Sequence, residues 1–201
     1  MKTSLLLEFK TFGGNYGGSF LRIQAIELIE TKKDNLLSVA ETLLNKILTD
    51  YPDNRIEMSQ TFNQLGEIYK LREDYTKALA YFQKSLDFEK EFPNVITTAY
   101  LNFAETVVRA EKTELYDKVE NLLTEIISKD TLKFPFQNYI MYSVMTVISE
   151  HKGDFGQAKI YAGLADINAT TQTNSLWNPQ KKKSGFVKER ISWLDKLVGR
   201  K

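Results

Sequence analysis

Cysteine does not occur in this 201-residue chain. That excludes disulfides, thiolate metal ligands and cysteine nucleophiles. Histidine occurs once, as His151, which leaves little from which to build a zinc site or a Ser-His-Asp triad. Four prolines and ten glycines are too few for an extended low-complexity chain. An excess of one charge is also lacking. The 27 basic and 26 acidic side chains leave a formal net of +1, which makes no global case for nucleic acid or membrane. No window approaches the ~20 apolar residues of a membrane span. The opening MKTSLLLEF has a short apolar run closed by Glu8 and no small-residue cleavage site. It does not read as a secretory signal, and a cytoplasmic protein is the expectation.

What is present is ordinary for a globular protein: 42% hydrophobic and 26% charged residues. The most informative stretch is residues 59–92. Apolar residues recur there at helical spacing in two bursts, Phe62-Leu65-Tyr69 and Ala78-Phe82-Leu86, around the polar break Arg72-Glu73-Asp74. Laid over W-x2-L-G-x2-Y…A-x3-F…P, this stretch resembles the tetratricopeptide repeat family. Phe62 stands for the Trp, Leu65-Gly66 match L-G, Tyr69 matches the Tyr, and Ala78 and Phe82 match A-x3-F. Pro93 falls one residue late. Small residues such as Gly66 and Ala78 let antiparallel helices approach closely. A single such hairpin cannot bury its own apolar faces and must stack on neighbours.

Neighbours are legible. A first pair spans residues 20–48, with stripes Leu21-Ala25-Leu28-Ile29 and Val39-Ala40-Leu43-Leu44-Ile47. A third unit, residues 97–129, places Tyr100, Phe103, Ala104 and Val107 in the roles of Phe62, Leu65, Gly66 and Tyr69. A fourth, residues 137–168, carries the turn Gly153-Asp154-Phe155-Gly156-Gln157-Ala158. The small residue opening each second helix recurs at Ala40, Ala78, Val119 and Ala158, at intervals of 38, 41 and 39. Pro52, Pro93, Pro135 and Pro179 each follow a unit, as expected of a residue that cannot continue a helix.

Both ends differ from this body. Residues 1–19 read as an N-terminal arm, with a short strand over 4–12 and a Gly-rich turn over 13–18. Gly13 and Gly18 have the spacing of a phosphate-binding loop, but Ser19-Phe20 occupies the place of its Lys-Ser/Thr. Residues 169–183 read as a polar linker, and 184–201 as a basic capping helix over 186–198 with stripe Val187, Ile191, Leu194 and Val198. From Lys181 to the end, eight cations face Glu189 and Asp195. That +6 asymmetry is suited to an acidic partner, though a solubilising end cap is the plainer reading.

The resemblance implies an all-α fold, a right-handed α-solenoid of antiparallel helix pairs covering residues 20–168. It also implies a non-enzymatic scaffold that binds a peptide or protein segment on the concave face lined by first helices. The inward polar residues would be Asn63, Glu67 and Lys70, then Asn102, Glu105 and Arg109, then Glu150. Amides there can bond an extended backbone and a cation can take a carboxylate; a merely solvated face is the alternative. The family's chaperone-carboxylate clamp is not carried over, because Glu67 and Glu105 interrupt the cations. No cofactor, metal or catalytic constellation is expected, and His151 reads as a cation at a helix end. A peptide-sensing receptor and a self-assembling module (a homo-oligomer) remain as rival readings.

Overall fold

The computed structural model describes residues 17–129, 133–171 and 187–197. Among these, the chain is all-α and carries no strand. The helices are α1 (Gly17–Glu30), α2 (Asp34–Asp50), α3 (Arg55–Leu71), α4 (Tyr75–Glu91), α5 (Ala99–Arg109), α6 (Tyr116–Ser128), α7 (Pro135–His151), α8 (Phe155–Thr170) and α9 (Ser192–Leu197). A 3-10 turn, Thr113–Leu115, precedes α6. They pack as sequential antiparallel pairs. The chain divides into two compact units whose boundary, between Phe103 and Ala104, falls inside α5.

In the first unit α1 pairs with α2 and α3 with α4, while α3 also packs on α2 and α1. The helical stripes meet in a core of Ala25, Ile29, Leu37, Ala40, Leu44, Ile47, Leu65 and Ile68. Each large aliphatic buried there contributes ~1.5–3 kcal/mol. Gly66 lies against the ring of Phe82, with no room for a side chain between them. Two marks of the repeat pattern are thus in direct contact. In the second unit α7 pairs with α8, α6 packs on α7, and α9 lies on α7. Tyr139, Met141, Met145, Ile148 and Leu194 are fully or almost fully buried, and Tyr142 stacks on Tyr161 with centroids 6.1 Å apart.

The turns between first and second helices repeat in detail. One residue in each has positive φ: Lys32 (56°), Glu73 (60°), Glu111 (51°) and Gly153 (79°). In three of these turns the left-handed residue donates to the carbonyl three back and the next residue to the carbonyl five before it. Glu73 bonds Lys70 and Asp74 bonds Tyr69; Glu111 bonds Val108 and Lys112 bonds Val107; Gly153 bonds Glu150 and Asp154 bonds Ser149. This is the Schellman closure of a helix end. Asp74 and Asp154 then cap the second helix by accepting from Lys77 N and Gln157 N.

Three boundaries differ from the sequence reading. Gly17, Gly18 and Ser19 belong to α1, not to an arm. A Cβ at Gly17 would stand 2.2 Å from the Tyr51 hydroxyl, so this glycine serves close packing. The expected strand and residues 13–16 lie outside the described residues. Ala169 and Thr170 continue α8 rather than opening a linker, and 172–183 are not described. The C-terminal helix is also shorter than the expected 186–198 span. It begins at Ser192, and the backbone N–H of Ile191 goes to the Tyr139 hydroxyl rather than to a preceding helical carbonyl. Pro135 is the first residue of α7, where a missing N–H costs nothing. Among the described residues no helix is long and apolar enough to cross a membrane.

Candidate functional site

Asn63, Glu67 and Lys70 follow one another on α3 at spacings of four and three, which places them on one face. Asn102 on α5 joins them. Its Nδ2 donates to Asn63 Oδ1 at 3.1 Å and to Glu67 Oε1 at 3.0 Å. Asn63 Nδ2 donates to Thr98 Oγ1 at 3.3 Å and to Glu67 Oε1 at 3.4 Å. Lys70 Nζ donates to Asn102 Oδ1 at 3.2 Å. Four of the seven expected site residues therefore form one connected network between successive first helices. Asn63 is 4% exposed, while Glu67, Lys70 and Asn102 keep part of their surface in water.

The other three belong to the second unit. Glu105 is buried, 8% exposed, in the second unit. Arg109 lies 5.6 Å from the ring centroid of Trp193, guanidinium over indole. Glu150 is exposed at the end of α7. His151 is exposed beside it, and its ring meets Tyr116 edge-on at 5.0 Å.

Further polar clusters had no sequence signal, because their members lie far apart in the chain. Arg72 at the end of α3 reaches three residues of α2: Asp34 at 3.1 Å, Ser38 at 2.8 Å and Glu41 at 2.6 Å. Tyr69 donates to the same Glu41 carboxylate. That bond, followed by burial, pushes the Tyr69 hydroxyl up to about 12. Burial works to raise the Glu41 carboxyl, but the bonds from Tyr69 and Arg72 outweigh it and hold the group low. Glu89 Oε1 accepts from the backbone N–H of Thr97 at 3.0 Å and from its hydroxyl, beside the Ser59–Ser85 hydroxyl pair at 2.9 Å. In the second unit the Tyr139 hydroxyl accepts from Ile191 N and donates to Asp195 Oδ1, both at 3.0 Å. Burial pushes Tyr139 up to about 12; the Asp195 bond adds to this and the Ile191 amide opposes it.

Over its described residues the chain is all-helical and built of sequential antiparallel helix pairs. No family model matches the chain, and no curated protein or solved structure matches it.

Proposed function

We propose that the chain is a tetratricopeptide-like repeat protein, a right-handed solenoid, that binds a peptide or protein segment on the face of its first helices without catalysing a reaction. The observation that carries this reading is the network of Asn63, Glu67, Lys70 and Asn102. Amide, carboxylate and ammonium groups on two successive first helices hold one another in fixed rotamers. A ligand meeting such a face orders few side chains, so less of its contact energy is lost to entropy. The contact of Gly66 with Phe82 and the thrice-repeated turn support the repeat assignment independently of the site.

The test is selection of binders from a displayed random-peptide library, followed by affinity measurement on a Lys70→Ala/Asn102→Ala variant of unchanged helicity. Selected peptides should lose tenfold or more in affinity for the variant. Unchanged affinity across the selected set would remove this face as the binding surface.

A further inference from the structure

The second unit bears a short segment, residues 187–197, whose helix packs on α7, the first helix of its pair. A cap on a stack of helix pairs covers the apolar side of the last helix. Here the last long helix keeps its outer side open: Phe155 is 72%, Ile160 57% and Ile167 63% exposed. In the segment on α7, Leu194 is fully buried. Trp193 lies against Arg109, an expected partner-binding residue, and Asp195 accepts from Tyr139. Ile191 N–H closes on the same Tyr139 hydroxyl, and Arg190 ties the segment to Asp166 at 2.6 Å.

We infer that residues 191–195 are an internal ligand of the first-helix surface, and that the external partner of this surface is a peptide presenting the same chemistry, an aromatic residue, an apolar residue and a carboxylate in succession. The inference rests on the proposed peptide-binding reading and names the ligand class for the second unit. Each of the three recognition elements has its own physical basis. The Arg109 guanidinium attracts the face of an aromatic ring. The buried Tyr139 hydroxyl directs a hydrogen bond at a carboxylate, stronger for the charge on its acceptor. The side chain between Trp193 and Asp195 in sequence, Leu194, is fully buried and supplies the apolar anchor. Residues 191–195 reach this surface as part of the same chain, so they compete at the high effective concentration of a tethered group. The surface in the resting protein is therefore closed to weak ligands and opens to those that match it.

The test uses the full chain and a fluorescein-labelled peptide of sequence KERISWLDKL, the chain's own residues 188–197. Binding is read by anisotropy for the unmodified protein, for Trp193→Ala/Asp195→Ala, and for that double variant carrying Arg109→Ala as well. The double variant should bind at least tenfold more tightly than the unmodified protein, and Arg109→Ala should reverse at least tenfold of the gain. The same peptide with its Trp replaced by Ala should not bind. Equal binding by the unmodified protein and the double variant overturns the inference. Should the double variant fail to fold by circular dichroism, a second measurement decides. In a Trp177→Phe chain Trp193 is the sole tryptophan, and a saturating unlabelled peptide KERISFLDKL, which brings an aromatic ring but no tryptophan, should shift its emission to the red; an unmoved emission overturns the inference. Library peptides that still depend on Lys70 and Asn102 would then leave the broader reading standing, and their absence would remove both.

Discussion

Gly66 and Phe82 face each other across the α3–α4 pair so closely that a Cβ on Gly66 would lie 2.4 Å from the ring carbon Cε1. Alanine is favoured over glycine inside a helix by ~1 kcal/mol, so this site sets propensity against space. The ring is rigid and Phe82 is fully buried, which leaves overpacking to prevail at a cost of ~1–3 kcal/mol. Gly66→Ala should lower the urea midpoint. In a Phe82→Leu chain the same substitution should cost less, since the two positions share one contact. A stabilised Gly66→Ala protein would sink the close-approach argument.

Two other glycines make the opposite comparison. Gly153 has open space around its Cβ position but a φ of +79°, whereas Gly163 lies in the interior of α8, also with nothing within 4 Å. Alanine at 153 must adopt the left-handed region, which costs ~1 kcal/mol or more. At 163 it reduces the freedom of the unfolded chain and gains ~0.5–1 kcal/mol. Thermal melts of the two variants should move in opposite directions. Movement the same way would mean that φ does not decide these sites.

Glu89 is the acceptor for both the amide and the hydroxyl of Thr97, which is 6% exposed. Glu89→Ala strands a buried backbone N–H, a loss of ~1–3 kcal/mol. Glu89→Gln retains an acceptor oxygen and should cost less. Chemical denaturation ranks the two, and amide exchange at Thr97 should speed up in the alanine variant. Equal destabilisation by both would show that charge, not the acceptor, matters there.

The parts of this architecture that were legible from sequence share a cause: they are local or periodic. Apolar spacing within 17-residue helices, the Gly66 and Ala78 positions, and Gly153-Asp154 at a turn all express geometry within one hairpin. The Asn63–Glu67–Lys70 face was legible for the same reason, being a spacing of four and three along one helix. What escaped was set by partners far along the chain. Asn63 was read as an inward-facing residue that could meet a ligand, and its bonds to Asn102 on the next first helix and to Thr98 just before it could not be read from spacing. The end helix was expected to begin at Phe186 and begins at Ser192, with the Ile191 amide going to Tyr139, 52 residues earlier. Gly18 was read as part of a loop and is helical and buried against Tyr51, Ile47 and Glu57. No periodicity along one segment contains such pairings.

Two tyrosines in these long-range clusters give the fold an alkaline limit. Tyr69 and Tyr139 are each pushed up to about 12, the first mainly by its bond to Glu41 and the second mainly by burial. Both therefore hold their protons more tightly folded than unfolded, where a tyrosine titrates near ~10. The stability this provides is fully present below pH ~10 and is lost as pH rises through about 12. Of the ten tyrosines, these two should be among the last to give tyrosinate absorbance in the folded protein. Tyr139→Phe keeps the ring but removes both the donor to Asp195 and the acceptor for Ile191 N–H. Its stability at neutral pH should fall by ~1–3 kcal/mol, and the decline from pH 10 to 12 should become shallower. Tyr69→Phe should flatten the same decline while leaving the Trp193 environment unchanged, because the two hydroxyls lie in different units. If the unmodified protein and Tyr139→Phe declined in parallel over that range, the hydroxyl could not be what holds residues 191–195 in place.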